Sequence, residues 1–377
     1  MFINQKHIVF TLSALLLCAV NAHASYKMGG GEFFPRAAYS AVYDDNVTYS
    51  SQNELDDMIN KLSIGADWEL TGKTRQLTLS GDLKQDLFID HDDFDNTSGS
   101  FVVDFQTDLS PHDRLFLNDD FSVSEDPRNF EDEFGRTTGR YRTLRNTASA
   151  NYEHDFSSQW SLRSFYKNTV HDASTDTVRD SMLHNAGIDI IRAWSTRLSF
   201  LAGYEFLNRS FDSGPDSYTH GAAIGTRYSI TEFLVFEARG GVDFIESFTG
   251  RDSEKPFVTA SLTQALDKLS SFTLRFSKRY DTTTFSTDLF DQWRISGTYQ
   301  RQLMKRWTMG LNGFVGEGKY AGTSRTDDLY GAGGHVGYDL SDNARIILGY
   351  RFAETNSTNN TSDYVKNTVT ASLDYQF

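Results

Sequence analysis

Residues 36–377 repeat a single unit, and that unit restricts the fold more than any motif does. Apolar and polar residues alternate with period two through stretches of roughly 10 to 13 residues, the signature of strands with one apolar face. Short polar turns join the stretches in pairs, at residues 71–74, 110–113, 157–159, 195–196, 231–232, 267–268, 305–306 and 341–343. Their spacing of about 36 to 46 residues leaves room for two strands, one short connection and one longer one. The longer connections, rich in Asp, Asn, Ser, Thr and Gly, lie at 44–56, 91–97, 125–140, 172–177, 211–216, 249–255, 281–287, 321–327 and 355–362. Eight short turns and nine long loops predict an all-β, antiparallel, up-and-down chain of about eighteen strands, with sixteen as the other count.

Most strands divide cleanly into two faces. Leu234, Phe236, Ala238, Val242 and Phe244 oppose Glu237, Arg239 and Asp243. Phe272, Leu274 and Phe276 oppose Thr273, Arg275 and Ser277, and Ile346, Leu348, Tyr350 and Phe352 oppose Gly349 and Arg351. If the apolar face meets lipid, a slip of one residue would put each charge into hydrocarbon at a cost of about 2 to 4 kcal/mol near the midplane. Asp119 is the exception, since it falls among Leu115, Leu117, Phe121 and Val123; a bulge there, or a strand shifted by one, is the expected repair. The glycines of 330–338 would let the wall bend locally.

A soluble sheet can alternate in the same way, so the ends of the chain are needed to separate the two cases. Near the start, Lys6 precedes an apolar run from Ile8 to Val20, followed by Ala22-His23-Ala24, a small-x-small cleavage pattern. Residues 1–24 therefore read as a cleaved signal peptide and 25–377 as a single outer-membrane β-barrel domain. The run is too short for a permanent anchor. The one cysteine, Cys18, lies inside it behind Leu17, which argues against lipid attachment, and the mature chain is expected to hold no disulfide. At the other end, Phe377, Tyr375, Leu373, Ala371 and Val369 alternate with Gln376, Asp374, Ser372, Thr370 and Thr368. An alternating strand that stops on Phe resembles the terminal signal read by the outer-membrane barrel assembly machinery, with Phe377, Tyr375 and Leu373 carrying it. An even strand number then puts both termini on the short-turn, periplasmic side, where the last strand pairs with the first near residues 37–43.

Composition agrees with this placement. Mean hydropathy is -0.47, so no second stretch is apolar enough for a membrane helix. Yet aromatics make up 14% of the residues, as expected of a barrel whose lipid band uses alternate residues between aromatic girdles. A net charge of -15 argues against nucleic acid as a partner and suits a surface among lipopolysaccharide and outer-membrane lipid.

The predicted lumen carries both signs. Asp67, Glu69, Asp82, Asp86, Asp104 and Asp108 come from early strands, and Arg227, Arg239, Arg275, Arg279, Arg294 and Arg351 from later ones. Closure would set an acidic arc against a basic arc, giving a transverse field across a wet channel, unless these groups pair with one another. The acidic loop at 125–133 is the candidate constriction, with shielding of the rim as its other role. No catalytic set, metal site or cofactor site emerges. His154, His184, His220 and His335 lack ligand spacing, no serine sits in a nucleophile elbow, and the glycines of 310–318 are strand glycines. The His91-Asp92-Asp93-Phe94-Asp95 run lacks the spacing of a dedicated calcium loop and reads better as a solvated loop.

At residues 35–48 the chain reads Pro-Arg-Ala-Ala-Tyr-Ser-Ala-Val-Tyr-Asp-Asp-Asn-Val-Thr. A first strand ending in Tyr43-Asp44-Asp45-Asn46, followed by a long series of aromatic hairpins, resembles the putative β-barrel porin 2 family. Members of that family often accompany exopolysaccharide or capsule operons. The resemblance covers the mature chain in layout and these four residues in motif. It implies an outer-membrane channel that exports a surface polysaccharide, beside periplasmic polysaccharide export proteins. Inward Arg, Asp, Asn and Gln can bond sugar hydroxyls, and Phe88, Phe165 and Phe314 can stack on sugar faces or simply fill space. The other readings are a general or solute-specific porin and, from a different class, a barrel enzyme or adhesive barrel. The sequence carries no signal for oligomeric state.

Overall fold

The computed structural model describes residues 26–125, 140–175, 178–213, 216–246, 253–282, 289–320, 324–359 and 362–377. The signal segment and residues 126–133 of the expected constriction lie outside them. The strands are β1 (Tyr26–Met28), β2 (Gly31–Asp44), β3 (Asp57–Thr71), β4 (Arg75–Phe88), β5 (Asn96–Ser110), β6 (Asp113–Ser124), β7 (Thr143–Asp155), β8 (Trp160–Ala173), β9 (Ser181–Ala193) and β10 (Leu198–Phe211). They continue with β11 (Ser217–Ser229), β12 (Leu234–Glu246), β13 (Ser253–Asp267), β14 (Ser270–Thr282), β15 (Leu289–Met304), β16 (Trp307–Tyr320), β17 (Thr326–Asp339), β18 (Ala344–Ser357) and β19 (Tyr364–Gln376). From β2 onward each strand pairs antiparallel with the next, and β19 returns to β2, with Thr368 opposite Asp44 and Gln376 opposite Arg36. The result is a closed eighteen-strand barrel. Closure leaves the wall itself without an edge strand to template further pairing.

Side-chain chemistry fixes the short turns. In three of them a serine hydroxyl accepts backbone N–H groups two and three residues on: Ser157 from Gln159 and Trp160, Ser195 from Arg197 and Leu198, and Ser341 from Asn343 and Ala344. The hydroxyl satisfies donors that the reversing chain would otherwise leave unpaired. The register shifts in the β5–β6, β13–β14 and β15–β16 ladders all sit beside other short turns.

The two faces differ in exposure. Val42, Ile59 and Phe88 lie in one cross-strand row of the inner face and are 2%, 0% and 4% exposed. Ile64, Leu83 and Leu348, of the opposite parity, are 58%, 59% and 60% exposed, as lipid-facing side chains must be.

One expectation needs correction. Asp119 is not rescued by a bulge or a shifted strand: it stands in regular register between Val103 and Ala148 on the outer face. A slip would instead turn Arg114, Asn118, Asp120 and Ser122 outward, so one misplaced carboxylate is the smaller penalty. The first wall strand starts at Gly31, where β1 folds back on it as a three-residue ladder. The glycine-rich β17 carries no bulge: both of its ladders run unbroken.

Candidate functional site

The inner wall is the candidate site, and the register assigns each residue to it. Asp67, Asp82, Asp86, Asp104 and Asp108 share the face of Val42, as do Arg227, Arg239, Arg275, Arg279, Arg294 and Arg351 on later strands. Two opposed arcs do not result, because most of these charges meet a partner on a nearby strand. Arg36 bridges Asp67 and Asp82, each at 2.7 Å, and Lys61 holds Asp86 at 2.6 Å. Arg239 reaches Asp189 at 3.1 Å, and Arg279 is clamped between Glu205 at 3.2 Å and Asp243 at 3.0 Å. Arg227 pairs with Glu237 across β11 and β12, and Asn118 donates to Asp104 at 2.7 Å. The transverse field is therefore largely neutralised within the wall, and the bonds of Arg36 and Arg279 tie strands that are not adjacent. Sequence reading missed Arg36, Lys61, Asp189 and Glu205, although their alternation with apolar neighbours placed them on the inner face.

Toward the long-loop end, inward-folded chain narrows the lumen. After β2 the chain turns inside, where Val47 packs on Val42, Ile59 and Phe88, and Tyr49 packs edge-on against Tyr364 at 5.1 Å. Tyr49 has φ of 55°, a left-handed conformation that a bulky residue adopts only when its surroundings hold it there. Those surroundings are the Tyr43-Asp44-Asp45-Asn46 motif. Asp44 pairs with Lys366 at 2.7 Å, both side chains being 2% exposed, and the Lys366 ammonium also donates to the Asn46 carbonyl and lies 3.7 Å from the Tyr49 ring centre. Asp45 accepts from the backbone and side-chain amides of Asn367 at 2.6 and 2.7 Å. Asn46 donates to the carbonyls of Ser50 and Val365, and Tyr43 points outward and donates to Asp56. The motif thus fastens the first wall strand to the last.

A second inward segment follows β4. The buried Asp57 carboxylate accepts N–H groups from Ile89, Asp90 and His91 and also pairs with the His91 ring at 3.0 Å. Asp95 accepts the Phe88 N–H, and the run expected to be a solvated loop includes a short 3-10 turn, Asp92–Phe94. Burial is the largest influence on the Asp95 carboxyl and raises its pKa against that N–H bond, helped by the charges of Asp92, Asp57 and Asp86. No group of three or more metal-ligating side chains occurs among the described residues. His154 pairs with Asp113, His184 with Tyr166 and His220 with Tyr204, all on the outer face.

The three inward aromatics sit differently. Phe88 lies under the Arg140 guanidinium, 4.8 Å from it, and Phe165 covers Gly187. Phe314 covers Gly331, where an added Cβ would come within 2.1 Å of the ring, and the Arg294 guanidinium lies 4.2 Å from the ring centre. At the opposite end of the chain, the Phe377 N–H bonds the Pro35 carbonyl at 2.9 Å, and its ring meets Tyr375 edge-on at 4.8 Å. Tyr375 and Leu373 face outward, opposite Ala37 and Tyr39.

No curated protein matches the chain. Among solved structures, OccK2 (OpdF) of Pseudomonas aeruginosa is similar with 10% identity and a TM-score of 0.50, covering 92% of this chain and 98% of that one. OpdK of the same organism, solved with vanillate, is similar with 11% identity and a TM-score of 0.49, covering 92% and 99%. At such identities the likeness is one of fold. Residues 268–377, which span β14 to β19 and hold Arg275, Arg279, Arg294 and Arg351, match the family described as "Putative beta-barrel porin 2".

Proposed function

We propose that this barrel is a passive outer-membrane channel whose cargo is a secreted polysaccharide. The channel reading is carried by one observation: a closed eighteen-strand wall with apolar side chains outside and charged and hydroxyl side chains inside. Barrels of this strand number leave an aqueous path unless something fills it. The cargo rests on the resemblance of Tyr43-Asp44-Asp45-Asn46 and on the match of residues 268–377 to a porin family. In this reading the channel sits among lipopolysaccharide, reaches the membrane through the barrel assembly machinery and receives polymer from periplasmic export proteins. Deleting the gene should leave polymer in the periplasm while its synthesis continues; normal surface polymer in the deletion strain would sink the export role.

The inward-folded segment after β2 favours a second reading, a diffusion porin for small hydrophilic solutes, because it takes up cross-section on the long-loop side. Slower uptake of small sugars by the deletion strain, with unchanged surface polymer, would select it.

A further inference from the structure

At the short-turn end of β8 and β9 the outer face carries a cation set over two indoles. Arg192 is the last outward residue of β9, two positions beyond Ile190, and both Ile188 and Ile190 are exposed on the lipid-facing side. The register sets it opposite Trp160, the first residue of β8, and opposite Phe200 of β10. Its guanidinium carbon lies 5.2 Å from the Trp160 ring centre and 5.0 Å from that of Trp194, two residues on in the turn. Both indoles are exposed, as the aromatic belt at a membrane border must be. Arg197 stands in the same turn, where the Ser195 hydroxyl accepts its N–H and its carbonyl accepts the N–H of Ser229.

Most charges of the inner wall meet a partner, and these two do not. The side chains of Arg192 and Arg197 are exposed and make no ion pair or hydrogen bond among the described residues, and neither indole N–H has an acceptor there. Among the described residues, the one acidic side chain on the outer faces of β8, β9 and β10 is Asp172, at the far end of β8. Stacking on an aromatic ring occupies the flat face of a guanidinium and leaves its N–H edge free, the edge that grips a phosphate through two parallel bonds. Two cations with no carboxylate beside them suit a headgroup of net negative charge, because the ammonium of a zwitterionic headgroup would meet only like charge. Ile190, Phe200 and the indoles adjoin the guanidinium and offer acyl chains an apolar surface.

We infer that Arg192, Arg197, Trp160 and Trp194 form a binding site for the phosphate of an anionic phospholipid in the leaflet that meets the short turns. The site lies on the outer face and is independent of what the channel carries. The test is native mass spectrometry of the purified full-length barrel in a neutral detergent, with equal amounts of dioleoyl phosphatidylglycerol and dioleoyl phosphatidylcholine. Glycerophosphoglycerol, the water-soluble headgroup of the first lipid, serves as competitor. The wild-type barrel should retain phosphatidylglycerol in preference to phosphatidylcholine, and the soluble headgroup should not displace it. R192Q/R197Q should bind phosphatidylglycerol about tenfold more weakly, and R192K/R197K should fall between, since lysine keeps the charge and loses the fork. Folding is checked for each variant by heat-modifiable gel migration. Equal retention of the two lipids by the wild type, or undiminished retention of phosphatidylglycerol by folded R192Q/R197Q, would overturn the site and leave Arg192 an interfacial anchor. Displacement by glycerophosphoglycerol at the concentration where the lipid itself binds would overturn the lipid assignment in favour of a free phosphate.

Discussion

Asp119 shows how one residue can violate the pattern that fixes all its neighbours. Its strand keeps register because Leu115, Leu117, Phe121 and Val123 face outward together, and one of the Asp119 carboxylate oxygens is buried without a hydrogen-bond partner. A lipid-side charge costs up to about 2–4 kcal/mol at the midplane for Arg or Lys, and less for Asp. Asp119→Leu should therefore stabilise the barrel by about 1–2 kcal/mol, read as a higher temperature for loss of the compact band on unboiled gels. A lower temperature would mean that this face meets a polar partner instead of lipid. The misfit itself was legible from alternation. Its outcome was not, because the choice between a bulge and a tolerated charge depends on the ladders to β5 and β7.

At the scale of strands and loops, turns and register could be read directly: the serines of 157, 195 and 341 announce reversals, and the apolar parity of β12, β14 and β18 sets their faces. The pairing of the last strand with the first near residues 37–43 could be read as well; what stayed hidden were the side-chain contacts between strands far apart in the chain. Asp45 and Asn367 are 322 positions apart, and Arg279 and Glu205 are 74 apart, so no local pattern pairs them. The fastening of β2 to β19 is the main case, since the motif that suggested a family also builds the seam. Removing one partner of a buried ion pair costs about 3–5 kcal/mol, because the other charge is left uncompensated. Lys366→Met alone should thus lower the unfolding temperature sharply, and D44L/K366M should recover most of the loss. Equal damage from the single and double changes would mean that the bonds of Lys366 to the Asn46 carbonyl and the Tyr49 ring matter more than the pair.

For the molecule as a whole, the wall's ion pairs and the inward loops act on different properties of one channel. The segment after β2 fills cross-section near the long-loop end against β2, β3, β4, β18 and β19, whereas Arg275 and Arg294 line the wall halfway along β14 and β15. The two sets share no residue and lie on different strands, and changes at sites more than about 7–10 Å apart usually add. Replacing residues 47–55 with a short Gly-Ser linker should raise single-channel conductance, because Val47 and Tyr49 leave the lumen, while ion selectivity stays as in the wild type. R275Q, which removes an exposed lumen cation, should do the reverse, shifting the reversal potential under a salt gradient toward cations with little change in conductance. The combined variant should show both effects at full size. If shortening the segment alone changes the reversal potential, the narrowing and the charge filter are one structure, and the lumen must be treated as a single constriction near its outer end.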